Sequence, residues 1–477
     1  MGNTTSNPAD VRLEQAPGLE EIDPSLIEHE RLRERSFSVR RSSQRGLADG
    51  TRTEKGRKSG KWDEFVTEAS RRVLNFTPSW FSVNMGTGIL SILLYTLPYQ
   101  FRGLKTIGTI VFFLNLVLFL VFLGMSFLRY TIWPSVFRKM LFHPQQSLFL
   151  GTFPMGFATI VNMVAFLTLD PPTNDLRTKS FERFTWGIWW IDVILAAIIG
   201  IGMLFVMFTR HNQTPKDVTG AWLLPPIANI VASASGAIVA GYLDDRRATI
   251  TIIISYILWG IGFGPTLLIM ALYFNRLAMF KVPANTIIVS SFIPLGPCGQ
   301  GAFAILRLSS VVRALCHRQA EQGGSRLYEA AEWRVFGSAV FAGTVPVALV
   351  IWGFGFVWLL IAIGSILHIR IRGEHIPFNM GWWGFTFPIG VFTSATVQFG
   401  TELDSVAFKV LGTIFTVSLV LLWITVAVGT AIKTWQGVIF MAPCLNDGGS
   451  LPPMGSADVV SKSRATAGII NARSLGS

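Results

Sequence analysis

Charge is scarce in this sequence. Only 14% of its 477 residues are charged, against 51% apolar side chains and a mean hydropathy of +0.48, which excludes an ordinary soluble globule. Thirty-seven phenylalanines and 15 tryptophans exclude an intrinsically disordered chain, which is poor in aromatics and rich in charge. Cysteine is rarer still: Cys298, Cys316 and Cys444 stand far apart with no Cys-x-x-Cys or Cys/His spacing, so neither a disulfide framework nor a zinc site is expected. None of the six histidines, His29, His143, His211, His317, His368 and His375, falls well inside an apolar run or has a ligating partner at helical spacing, so no metal is expected. Walker and Rossmann glycine patterns are missing too. That inventory leaves no enzyme and no cofactor. The formal net charge of +12 sits largely in short loops between apolar segments, where it is a topology signal and not a nucleic-acid surface.

What the sequence has is long apolar runs. Residues 1–75 hold none of spanning length and read as a disordered cytoplasmic tail, acidic up to Glu30 and basic from Arg31 to Arg72. Asp23-Pro24 is a good start for a short helix there. From residue 76 to 435 ten runs follow one another, each long enough to cross about 30 Å of hydrocarbon as a helix. They are Phe76 to Leu97, Leu104 to Leu128, Ser147 to Leu169, Thr185 to Phe208, Ala221 to Tyr242, Ala248 to Tyr273, Thr286 to Leu306, Val335 to Leu367, Phe378 to Phe399, and Val406 to Thr434. Residues 436–477 form a second polar tail. An all-α integral membrane protein with ten spans places both tails on one side, and the basic first tail makes that side cytoplasmic.

Two tail motifs bear on regulation. Gly2 in Met1-Gly2-Asn3-Thr4-Thr5-Ser6 fits the myristoylation pattern, and Arg40-Arg41-Ser42-Ser43 is a basic run before serine of the kind kinases favour.

The spans differ periodically. Glycine and proline interrupt the odd ones: Gly86 and Gly88; Gly151, Pro154 and Gly156; Pro225, Pro226 and Gly236; Pro294, Gly296, Pro297, Gly299 and Gly301; Pro388 and Gly390. Thr152-Phe153-Pro154-Met155-Gly156 in the third span returns as Thr386-Phe387-Pro388-Ile389-Gly390 in the ninth. The separation is 387 − 153 = 234 residues, or three helix pairs of about 78 each, which points to five repeated hairpins. A proline in a spanning helix frees a carbonyl that protein or a watery cavity must satisfy, so the odd helices are expected to be kinked and to line a central pore. They also carry most intramembrane polar groups: Asn84, Thr87 and Ser91; Thr152, Thr159 and Asn162; Asn229, Ser233 and Ser235; Ser290, Ser291 and Gln300; Thr386, Thr393, Ser394 and Gln398. For a single residue, glue between helices is the simpler role; as a set they point to a translocation path.

No acidic ring of a cation channel and no titratable relay of a pump is visible. Asp192, in the fourth span, is the one acid within a span and the one candidate proton site; Arg307, at the end of the seventh, is the one cation near the path. A tunnel of hydroxyls, amides and exposed backbone N–H groups suits a small anion that binds weakly enough to leave. A phenylalanine beside a Pro-Gly break is a plug that closes such a tunnel by dewetting, with Phe387 the first candidate and Phe153 its counterpart.

The run from His143 to Gly156, His-Pro-Gln-Gln-Ser-Leu-Phe-Leu-Gly-Thr-Phe-Pro-Met-Gly, together with Phe385-Thr386-Phe387-Pro388 and ten spans, resembles the tellurite-resistance/dicarboxylate transporter family. The resemblance covers about Trp80 to Trp435 and is nearer to the family's fungal sulfite-exporting branch than to its malate permeases. It implies five hairpins with the odd helices innermost, one pore per subunit, commonly a homotrimer, and a pore-occluding phenylalanine that matches Phe387. With the cytosol negative by about 100 mV, exit of one negative charge is favoured by roughly 2.3 kcal/mol, so efflux of sulfite or bisulfite across the plasma membrane needs no fuel. Import of malate against that field requires coupled protons, for which only Asp192 is at hand. Proton-coupled malate transport is the alternative; a second alternative is an anion sensor signalling through the N-terminal tail.

Overall fold

The computed structural model describes residues 61–169, 176–322 and 330–445. The chain divides into Met1–Trp62 and Asp63–Ser477, and only the second unit is treated below. Gly2, the Arg40–Ser43 run and the expected helix at Asp23 lie outside the described residues.

No strand occurs among the described residues. The helices are α1 (Lys61–Leu74), α2 (Phe81–Thr96), α3 (Leu104–Ile132), α4 (Pro134–Phe142), α5 (Thr152–Leu169), α6 (Leu176–Arg210), α7 (Leu224–Ala240), α8 (Asp245–Phe280), α9 (Leu295–Glu321), α10 (Ala330–Ile371), α11 (Trp383–Glu402) and α12 (Val406–Trp435). Part of the expected irregular tail is thus helical: α1 is amphipathic, and its Glu68 pairs with Arg71 and Arg72, each at 3.0 Å. Those two guanidinium groups hold the Glu68 carboxyl below its usual range.

All ten expected spans are helical. Eight of them are long and apolar enough to cross a membrane; α2 and α11 are the other two. With 16 residues α2 is about 24 Å long, and the 3-10 turn Pro78–Trp80 before it adds about 6 Å. Such a turn leads into every odd span: Ser147–Gly151 before α5, Gly220–Leu223 before α7, Ile288–Phe292 before α9 and Met380–Trp382 before α11. This shared start is the structural form of the repeat read from the glycines and prolines.

The breaks therefore lie elsewhere than expected. Pro154, Pro225 and Pro226 sit in the first turn of their helices and Pro294 caps α9, where a missing N–H costs nothing. Of the prolines expected to break the odd spans, only Pro388 lies beyond the first turn of its helix. Gly86, Gly88, Gly156 and Gly390 lie within unbroken α-helix and serve close approach instead. A Cβ on Gly88 would stand 1.9 Å from Thr159 Oγ1, and one on Gly86 2.2 Å from Thr386 Oγ1.

The odd spans α2, α5, α7, α9 and α11 pack each against the next, and α11 closes on α2. The even spans stand outside. In the most apolar window, 72, 100 and 89% of residues are buried in the α5, α7 and α9 spans, against 22–33% in α3, α6, α8, α10 and α12. The outer faces present Phe113, Leu120, Ile198, Phe205, Leu268, Val350 and Leu421, as lipid-facing surfaces do.

Each outer helix is pinned to the inner helix of the following hairpin by one polar side chain. Asn115 Nδ2 of α3 donates to Thr159 Oγ1 of α5 at 3.2 Å. Indole N–H groups do the rest: Trp189 to Ala232 O (3.1 Å), Trp259 to Gly301 O (3.1 Å), Trp352 to Thr396 Oγ1 (2.9 Å) and, joining the last helix to the first, Trp423 to Thr87 Oγ1 (3.1 Å). Five bonds close the ring.

Gly88→Val, which forces α2 away from α5 and breaks the Asn115–Thr159 bond, is expected to cost about 3 kcal/mol or more. Gly124→Val on the outer helix α3, where the new side chain meets no atom within 4 Å, should cost less than about 0.5 kcal/mol. Thermal unfolding of the two variants in detergent measures the difference; equal effects contradict the close inner packing.

Candidate functional site

Two cavities lie inside the ring, and all five inner helices or the turns leading into them contribute to each. The one nearer the tails has a volume of about 360 Å³ and is walled by Ser82 and Met85, Thr152 and Met155, Leu224 and Ile227, Ser290, Ile293 and Gly296, and Gly384, Phe387 and Pro388. The far one, about 210 Å³, is walled by Ile89, Ile92 and Thr96, Asn162 and Phe166, Ile238, Gln300, Phe303 and Arg307, and Ser394, Val397, Gln398 and Thr401. On α2 the step from Met85 to Ile89, and on α9 from Gly296 to Gln300, is a single turn, about 6 Å. On α11, α5 and α7 the corresponding steps, Pro388 to Ser394, Met155 to Asn162 and Ile227 to Ile238, are about 9, 10 and 16 Å, so the barrier between the cavities is one to three turns thick.

Phe387 stands at this barrier. Its side chain is 3% exposed and lines the tail-side cavity, and it makes no ring contact with another described aromatic. Phe153, its counterpart in the repeated motif, is placed differently. It packs outward against Phe81 (5.0 Å between centroids) and Phe119 (5.7 Å) and lines neither cavity. The pairing of the two as gates is not what the fold delivers: Pro154 is the third residue of its helix and Pro388 the sixth, so the preceding rings leave their helices in different directions.

Of the expected path residues, Thr152, Asn162, Ser290, Gln300, Arg307, Ser394 and Gln398 line the cavities. The others are buried within or between helices. Asn84 Nδ2 donates to Asn115 O at 3.1 Å and Oδ1 at 3.0 Å, and Thr159 accepts from Asn115. Thr87 accepts from Trp423; Thr386 and Thr393 donate back to Trp383 O and Ile389 O; Ser291 lies 3.3 Å from the Tyr273 hydroxyl. Asn229 and Ser233 are buried in α7, with the Asn229 amide close against Gly200 of α6. Asp192, on an outer helix, is fully buried, its carboxyl oxygens have no hydrogen-bond partner among the described residues, and it lines neither cavity.

Ser82, Thr219, Thr286, Asn379 and Gln145 were missed and line the tail-side cavity. Gln145 and Thr219 lie just before their spans, so hydropathy windows pass over them. The signal that finds them is the recurring 3-10 turn, whose flanks point into the mouth.

The electrostatics are one-sided. Among the described residues no charged side chain lines the tail-side cavity, and Arg307 is the sole charged group lining the far one. A carboxylate nearby, Glu402, is engaged by Arg313 at 3.3 Å and by Gln398 Nε2 at 2.8 Å. At the tail-side mouth His211 Nε2 lies 3.5 Å from Ser147 Oγ, and burial, with His143 beside it, holds the His211 imidazole below its ordinary range. No group of three or more potential metal ligands occurs among the described residues.

A ring of five helices around neutral cavities with a basic far end defines a membrane protein that passes small anions. The family model described as voltage-dependent anion channel, SLAC1, matches residues 75–431, and the chain belongs to this family of channels and transporters. It is 41% identical to the sulfite efflux pump SSU1 of Arthroderma otae over 391 residues, 81% of this chain and 97% of that protein. Identity to the sulfite efflux pump SSU1 of Saccharomyces cerevisiae is 25% over 389 residues, 71% of this chain and 83% of that one. Identity to the malic acid transport protein of Schizosaccharomyces pombe is 27% over 370 residues, 74% and 77% respectively.

Phe387→Ala should join the two cavities and raise anion current in planar bilayers by about tenfold, the effect of a barrier lowered by about 1.4 kcal/mol. Phe153→Ala should leave current within about twofold while losing about 2–3 kcal/mol of stability. Equal gains in current from both, or none from Phe387→Ala, would sink the assignment of the plug.

Proposed function

We propose that this protein exports sulfite or bisulfite across the plasma membrane, as a potential-driven uniporter or channel-like carrier gated by Phe387. The observation that carries this reading is the charge along the path: Arg307 and no acid among the side chains lining the two pore cavities. An anion of low charge needs little more. One fixed cation and a few amides hold it weakly enough for release, and a cytosol negative by about 100 mV favours the exit of each charge by roughly 2.3 kcal/mol. The printed function of the 41% identical relative supports sulfite as the substrate.

In this reading all ten helices cross the bilayer, residues 1–75 and 436–477 face the cytoplasm, and the working unit is a homotrimer with one pore per subunit. Malate is a weaker candidate. Two carboxylates favour two fixed cations, and import against the potential needs a titratable group in the path, from which Asp192 is displaced onto an outer helix.

Proteoliposomes loaded in parallel with sulfite and with malate, under a clamped inside-negative potential and without a proton gradient, test the reading. Sulfite efflux should rise with voltage, by up to about 50-fold in the equilibrium ratio per 100 mV and unit charge, and Asp192→Asn should leave that voltage dependence in place. Flux of malate alone, or sulfite flux only under an imposed proton gradient, overturns it. Deleting residues 1–60 separates a transporter, which keeps its flux, from a sensor that signals through its tail.

A further inference from the structure

Beyond the pore cavity on the tail side lies another, of about 310 Å³, which shares Gln145, Phe149, Asn379, Met380 and Gly381 with it. Lys433, in the last turn of α12, stands in its wall. Part of that wall is the chain just beyond α12, including Val438, Ile439, Met441 and Pro443, and this segment is firmly seated. Phe440 stacks on Trp80 with centroids 5.0 Å apart and lies under the Arg72 guanidinium at 5.8 Å; Cys444 is buried with its sulfur 3.8 Å from Arg129 Nη2.

The polar groups here favour an anion. Lys433 makes no hydrogen bond or ion pair with any described residue. His143 Nδ1 accepts the backbone N–H bonds of Gln145 and Gln146, both at 3.2 Å, which leaves the ring proton on Nε2. Gln146, 8% exposed, also lines this cavity. Arg71 and Arg72 stand about 4 Å from the site a Cβ on Gly437 would take, and Glu68, the acid beside them, is spent on their ion pairs. Among the described residues no acid lines the cavity.

We propose that this cavity is a collecting site for small oxyanions, in which Lys433 binds the anion before it passes into the pore. The proposal rests on the reading of the protein as an anion transporter. Its site is distinct from the plug and from Arg307: it raises the local concentration of substrate at one mouth and takes no part in crossing the barrier. A single unpaired ammonium on a flexible stem, in a cavity partly open to water, suits rapid capture and release.

The test compares the full chain with Lys433→Gln and Lys433→Arg. In proteoliposomes, initial sulfite flux from the tail side should half-saturate at about fivefold higher concentration in Lys433→Gln with the maximal rate kept within about twofold, and Lys433→Arg should restore the parent value. Flux from the opposite face should half-saturate as in the parent. The same proteins in detergent give an independent reading: sulfite should raise the unfolding temperature of parent and Lys433→Arg at lower concentrations than Lys433→Gln. Unchanged half-saturation and unchanged stabilisation in Lys433→Gln overturn the site, as does failure of arginine to restore either. A parent that carries no sulfite but is still stabilised by it through Lys433 would overturn the transport reading and leave the site standing.

Discussion

Inside hydrocarbon a polar group without a partner costs several kcal/mol, and no water is at hand to supply one. The whole arrangement of this protein follows from that constraint. In four hairpins an indole N–H that reaches inward from an outer helix finds an oxygen on the inner helix of the next hairpin, with Asn115 in the remaining place; the indole N–H of Trp358 on α10 is buried without a partner among the described residues. Such bonds average only about 0.6 kcal/mol each in membrane proteins, so their sum does not explain the fold. Their value is in register: a one-turn slip of any outer helix moves the donor about 5.4 Å along the axis and leaves it unpaired. Because Trp423 bonds Thr87, the last hairpin is held to the first and the ring cannot open into an arc.

A closed inner ring sets what the pore can be. Close approach at Gly86, Gly88 and Gly390 brings side chains of neighbouring helices into contact, and the hydroxyls that look like pore lining are turned into those contacts. What remains facing the axis at the barrier is apolar: Met85, Ile89 and Phe387. An apolar constriction at this level excludes water and with it a hydrated anion. Its removal requires movement of one ring only, and Gly296 leaves room beside it, since a Cβ there would meet nothing nearer than Ile227 at 3.8 Å and Pro388 at 4.0 Å.

Span positions and the inner and outer sets were legible because each is written in a long pattern: apolar length, and glycine and proline recurring in alternate spans. Individual lining residues were not, for a physical reason. Along an α-helix, successive residues turn by about 100°, and a threonine can satisfy itself on the carbonyl three or four residues back, as Thr386 and Thr393 do. Its presence in a buried helix therefore says nothing about the direction it faces. Asn84 and Asn162 are the same residue type in inner helices; one binds Asn115 and the other faces the far cavity. The Thr-Phe-Pro repeat misled in the same way. It reports where a backbone begins its helix, and the distance from that start to the proline, different in α5 and α11, decides where the phenylalanine points.

Electrostatics then separate binding from driving force. A strong cationic site at the barrier would trap an anion in low dielectric, where one opposite charge attracts far more strongly than in water. The structure keeps its cation away from Phe387, with Arg307 two turns beyond Gln300 along α9, about 10 Å, and lines the rest of that cavity with amides and hydroxyls such as Asn162, Ser394 and Gln398 beside apolar Ile92, Phe166 and Phe303. Binding at the narrowest point is thus weak, and the membrane potential is left to decide direction. In the proposed reading an inside-negative potential pushes the anion itself outward, so export requires no buried acid to change its charge during the cycle. This is why Asp192 can sit on an outer helix, away from both cavities, without leaving the transport cycle short of a part.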